Sequence, residues 1–222
     1  MILVNFIRFG FLIWCTLVIR SHAAALDKRL EPKGALKMRL DHHLATTWPT
    51  PLVKKGPQIR RSFLWSTHIR FMEPVSAISN GQLFQIAFKA YDEMEEEYEP
   101  YAVKKDKDKP KAVSVLAFGN EIIISSSMKG SMPFAYTVED SPAAKILVEC
   151  QKTWVRGGGA EGTTHKNDAG CAEVWVTQLY YNTHTTALKD QNARIAAIVS
   201  SGGNPPVARY PCATGSNVSC ER

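Results

Sequence analysis

AVSVLAF (112–118), GN (119–120) and EIIISSSM (121–128) form the stretch on which the reading of this chain turns. Two runs rich in Val and Ile flank a Gly-Asn pair, which is the pattern of a β-hairpin closed by a two-residue turn. Upstream, Ser79 or Asn80 can cap a helix running to about Tyr98, with Leu83, Phe84, Ala87, Phe88, Tyr91 and Met94 recurring at the helical period. The acidic run Asp92 to Glu99 is expected at its solvated end, where negative charge opposes the helix dipole. Residues 62–72 alternate as a half-buried strand: Phe63, Trp65, Thr67, Ile69 and Phe71 on one side, Ser62, Ser66, His68 and Arg70 on the other. Lys104 to Lys111 reads as a charged linker.

Downstream of the hairpin, Ser141-Pro142 opens a helix to about Lys152, with proline at its first position. Residues 169–182 are ambiguous. Val174-Trp175-Val176-Thr177 prefers a strand, whereas Ala172 and Leu179 suit a helix face, and Asp168 can cap it. Ile195 to Val199 is apolar on both faces, as a strand inside a sheet would be. Gly157-Gly158-Gly159 and Gly162 carry no phosphate-loop spacing. The expected fold class is α/β: a small mixed sheet led by the 112–128 hairpin, with strand 195–199 inside it and helices 79–98 and 141–152 packed on it.

The start of the chain carries a different signal. Arg8 precedes an uncharged, apolar run, Phe9 to Ile19, and small residues Ser21, Ala23, Ala24 and Ala25 follow Arg20. This is the pattern of a secretory signal peptide. The run falls short of the roughly 20 apolar residues that a membrane-spanning helix needs. The expected organisation is a signal peptide over 1–23, an extended arm or pro-segment over 24–61 holding Pro32, Pro49, Pro51 and Pro57, and one globular domain over 62–222. Lys28-Arg29, Lys54-Lys55 and Arg60-Arg61 are dibasic pairs of the kind processing proteases cut, or plain exposed charges. The mature protein is expected to be secreted, extracellular and without a membrane segment. Loss of Arg8 and Arg20 takes the net charge of +6 to +4, a mild excess that suits an acidic partner without demanding nucleic acid.

Cysteine use fits an oxidising compartment. Of five cysteines, Cys15 lies in the signal, leaving Cys150, Cys171, Cys212 and Cys220. Four cysteines allow three pairings. In one, Cys150 pairs with Cys171 and Cys212 with Cys220; the chain is then a disulfide-stapled interaction or effector protein whose partner is a host protein or surface. Asn217-Val218-Ser219 is a glycosylation sequon at Asn217, inside the Cys212–Cys220 loop.

The order of a helix, a hairpin, Cys171-Ala172-Glu173, a strand, then Pro211-Cys212 and a later Cys220 resembles the zinc-dependent nucleoside and nucleic-acid deaminase superfamily, in its secreted, toxin-like branches. The resemblance covers roughly residues 78–220, and its specific part is Cys171, Glu173, Pro211, Cys212 and Cys220. It implies a cytidine-deaminase-like fold and a Zn ion held by Cys171, Cys212 and Cys220, with an open position for water. Glu173 would then be the catalytic proton shuttle toward the base, and the substrate a nucleoside or nucleic acid. A helix N-terminus would also stabilise a Cys171 thiolate. The family spaces its two late cysteines by two residues; seven separate Cys212 from Cys220 here. His165 and His184 flank the motif as candidates to replace a ligand or polarise a substrate, and His42-His43 lies in the arm. No Gly-x-Ser-x-Gly element is present.

Overall fold

A computed structural model describes residues 31–41, 62–101, 103–130, 142–159, 169–201 and 203–209. The expected signal peptide over 1–23, the dibasic pairs, His42-His43, His165, Asp168, Pro211, Cys212, Asn217 and Cys220 lie outside the described residues. The hairpin forms as its sequence predicts. Strand β4 (Ala112–Phe118) pairs antiparallel with β5 (Glu121–Ser126), and Phe118 stands opposite Glu121. Gly119 takes φ +51 at the first turn position, a value that glycine adopts without strain.

Around the hairpin lie β1 (Arg39–Leu40), β3 (Trp65–Arg70), β7 (Arg194–Val199) and β8 (Val207–Arg209), in the order β1-β3-β5-β4-β7-β8. A separate short pair joins β2 (Ser62–Phe63) to β6 (Lys129–Gly130). Every recorded pairing in the six-stranded sheet is antiparallel, which corrects the expected mixed sheet. The reason lies in the crossovers. The connection from β3 to β4 jumps over β5, and the connection from β5 to β7 jumps over β4. Strands of like direction are thus never neighbours, although helices join them.

Helix α1 (Asn80–Glu96) starts at a capping box. The Ser79 hydroxyl accepts from the Gln82 backbone N–H, and the Gln82 side chain accepts from the Ser79 N–H. Its buried stripe of Leu83, Ala87, Ala90, Tyr91 and Met94 packs with Trp65, Val113, Val115, Ala117, Ile122, Ile124, Ala196 and Ile198 on one face of the sheet. The acidic end of α1 is not simply solvated. Glu93 and Glu97 are buried, and Glu93 accepts the backbone N–H groups of Leu36 (2.9 Å) and Met38 (3.4 Å). Burial raises the Glu97 carboxyl above its ordinary value, against the opposing charge and backbone N–H of Lys33. These carboxylates dock the stretch in which Met38 and Leu40 enter the core and β1 joins the sheet, a stretch that lies inside the expected arm.

On the opposite face lies α3 (Ala172–Thr183), with Val176 and Tyr180 against Leu116, Phe118 and Ile123. Helix α2 (Pro142–Arg156) rests chiefly on α3, and its Ala143, Ala144 and Leu147 share one buried cluster with Trp175, Leu64 and Met128. The buried Gln178 side chain accepts the Ala143 N–H (3.3 Å), satisfying one of the donors that a helix start leaves open. The charged linker is partly ordered: Lys111 bonds Asp106 at 2.7 Å, and the Tyr98 hydroxyl donates to the Pro110 carbonyl. No helix among the described residues is long and apolar enough to cross a membrane.

Candidate functional site

Residues 172–183 form a helix, which settles the ambiguity of the Val174-Trp175-Val176-Thr177 run. Ala172, Trp175, Val176 and Tyr180 are all fully buried and lie at helical spacing, so tertiary burial overrides the strand preference of the β-branched residues. The N-cap is Cys171, in extended backbone (φ −70°, ψ 147°), and Glu173 lies in the first turn, where a carboxylate suits the helix dipole. Both side chains are half-buried. The approach is strained. Buried Ala169 takes φ +59, a left-handed value unusual for alanine, and the Gly170 carbonyl accepts the Met128 N–H at 2.9 Å, tying α3 to the end of the hairpin. Cys150 is exposed on α2. Cys171 and Glu173 thus share the start of one helix. Their expected companions Cys212 and Cys220, and the Asn217 sequon, fall outside the described residues. Among the described residues, no group of three or more His, Cys, Asp or Glu is arranged to hold a metal ion.

A second constellation stands at the other end of α3. His184 is the C-cap of that helix. It meets Glu121, the first residue of β5, together with His68 and Arg70 of β3. His68 Nε2 lies 2.5 Å and His184 Nε2 3.6 Å from the same Glu121 oxygen, Oε2, while Arg70 Nη2 donates to Oε1 at 3.0 Å. The His184 ring stacks on Tyr180, with centroids 4.8 Å apart, and meets Phe118 edge-on. The Glu121 side chain is 10% exposed, against 37% for His68, 25% for His184 and 70% for Arg70. Burial alone would raise the Glu121 carboxyl, but the hydrogen bonds and charges of His68 and Arg70 outweigh it and hold the group below its ordinary value. Strand alternation already put His68 and Arg70 on one face. Their convergence with Glu121 depends on the β3–β5 register, which pairs Arg70 with Glu121 and is invisible in the sequence.

The described architecture is that of an antiparallel sheet covered by helices on both faces, with polar clusters at the two ends of α3. No protein-family model, no curated protein and no solved structure matches this chain.

Proposed function

We propose that this is a secreted, deaminase-like zinc hydrolase acting on a nucleoside or nucleic-acid base. The observation that carries the reading is the start of α3: a helix, not a strand, that opens on Cys171 with Glu173 in its first turn and follows a helix and a hairpin in chain order. The strained, buried Ala169 just before it adds weight, because strain of this kind gathers at functional sites. A zinc ion held by Cys171, Cys212 and Cys220 would supply a water acidic enough to ionise near neutral pH. The N-terminal dipole of α3 favours the Cys171 thiolate. Glu173, one step round the helix, would take the proton from that water and pass it to the base nitrogen and the leaving ammonia.

The test is metal analysis of the folded, unreduced full chain, with ammonia release from cytidine, adenosine and single-stranded oligonucleotides. The reading expects bound zinc and ammonia release that Glu173→Ala abolishes without unfolding the protein. Two disulfides and no zinc end it. A second reading rests on Cys150 and Cys171 belonging to two helices that pack on each other. There the cysteines pair as Cys150–Cys171 and Cys212–Cys220, and the protein is a disulfide-stapled effector that binds a host protein. Alkylation followed by mass spectrometry separates the two by counting reactive thiols.

A further inference from the structure

We propose that residues 32–41 are a peptide ligand of this fold that stays seated after the chain is cut at Lys54-Lys55, so that processing yields a two-chain protein instead of releasing the segment. The proposal does not rest on the zinc reading. It starts from a pattern inside the expected arm. From Pro32 to Leu40 every even-numbered residue is buried or half-buried, and every odd-numbered one is exposed. Gly34, Leu36, Met38 and Leu40 therefore face the fold, while Lys33, Ala35, Lys37 and Arg39 face away from it. Alternation of this kind marks a peptide that offers every second side chain to pockets on a surface. From Pro32 onward the chain belongs to the same compact unit as the sheet.

The segment grips the fold in two places. Its first half turns around a carboxylate. Lys37 takes φ +58 and its N–H bonds the Gly34 carbonyl at 3.2 Å, while the N–H groups of Leu36 and Met38 donate to the two oxygens of Glu93. Backbone N–H groups in such a turn form a concavity that suits an anion. Gly34 lies against the Glu93 side chain with no room for a Cβ. One turn further along α1, the buried Glu97 faces Lys33 and accepts its backbone N–H. The second half adds a strand to the edge of the sheet. Arg39 and Leu40 stand opposite Ser66 and Trp65, and the Asp41 N–H donates to the Leu64 carbonyl at 2.8 Å. Met38 and Leu40 are buried in one core with Trp65. The partners in these contacts are residues 64–66, 93 and 97. A cut between Asp41 and Ser62 therefore removes none of them.

The held residues also choose among the dibasic pairs. Lys28-Arg29 precedes Pro32, so a cut there leaves the docked stretch joined to the sheet. Arg60-Arg61 abuts β2, and Phe63 and Leu64 just beyond it are buried, which leaves a protease little free chain past the bond. Lys54-Lys55 is separated in sequence from the held residues on both sides. A dibasic-specific endoprotease adds water across the bond between Lys55 and Gly56, leaving a carboxylate on Lys55 and an ammonium on Gly56. The cut turns an intramolecular contact into a bimolecular one and forfeits an effective concentration on the order of millimolar. Main-chain bonds to an edge strand, a cradled carboxylate and two core side chains together hold the segment against that loss. Residues 30–55 contain no cysteine, so the two pieces stay together without a covalent link.

The experiment treats the folded full chain with a kexin-type protease specific for dibasic pairs and separates the products by size exclusion, under native conditions and in urea. Cutting at Lys54-Lys55 is expected, with the piece that ends at Lys55 eluting together with 56–222 natively and apart from it in urea. Glu93→Ala removes the acceptor of the Leu36 and Met38 N–H groups and should speed loss of that piece by about tenfold or more. A labelled synthetic peptide of residues 30–41 tests the same seat on the unaltered protein. It should exchange into the cut parent, and the same peptide carrying Met38→Asp and Leu40→Asp should not. The proposal is overturned if Lys54-Lys55 resists the protease in the folded chain, or if the piece elutes alone from the cut parent. It is equally overturned if the Asp-bearing peptide exchanges as fast as the natural one, or if folded Glu93→Ala keeps the piece as the parent does. Zinc content and ammonia release are read on the uncut chain, so this proposal and the zinc reading fail independently.

Discussion

At the scale of the residue, Glu121 carries the clearest consequence. Its carboxyl is held below the ordinary value by His68 and Arg70, so the folded state binds its proton less readily than the unfolded chain. The stability this supplies is present above the ordinary carboxylate range and is lost as pH falls through the folded value. Replacing Glu121 with Gln should therefore cost about 2 kcal/mol near neutral pH, the scale of a charge-assisted hydrogen-bond set, and the cost should shrink in acid. Urea denaturation of both proteins across that pH range checks this, and a pH-independent difference would refute the charge argument. Only half of the cluster was legible in advance. The alternation of 62–72 placed His68 and Arg70 together, but Glu121 reads as an ordinary turn-flanking residue until the strands are in register.

At the scale of the element, helix α1 depends on its cap and also anchors the segment before the sheet. Ser79→Ala should cost about 1 kcal/mol, the usual worth of a capping side chain, measured by thermal or chemical unfolding. Gly34 lies so close to Glu93 that an added Cβ would come 1.9 Å from its Cδ. Gly34→Ala must therefore displace the carboxylate that holds the Leu36 and Met38 N–H groups. We expect limited proteolysis to cut within 31–41 faster in Gly34→Ala and in Glu93→Ala while the sheet core stays resistant; equal cutting rates would mean that the segment is held by other contacts. Helix α3 shows where local reading runs out. Helix propensities differ by only about 0.7 kcal/mol among ordinary residues. Burying one large apolar side chain is worth about 1.5–3 kcal/mol. Trp175, Val176 and Tyr180 are all fully buried, so packing decides the element.

At the scale of the whole molecule, one sheet carries a buried cluster on each face, and a third lies beside it. Trp65 lies in the core beneath α1, and Trp175 lies in the cluster between α2 and α3, both fully buried. Neighbouring residues of β5 alternate between the faces: Ile122 and Ile124 toward α1, Ile123 toward α3. The two sides should therefore unfold together. Trp65→Ala and Trp175→Ala should each cost about 3–5 kcal/mol and lower the same single transition, followed by far-UV circular dichroism. Two separated transitions in either variant would show that the faces are independent units.

The sequence by itself determined the hairpin, helix α1 with its cap, the alternation of β3 and the internal character of β7, because each is written in residues a few positions apart. Only the tertiary structure decided the rest: the antiparallel strand order, the entry of Met38 and Leu40 into the core, the helical state of 172–183 and the meeting of His68, Glu121 and His184. These depend on register and on burial against distant chain. Residues 68 and 121 are 53 positions apart, and no local pattern records such a pairing.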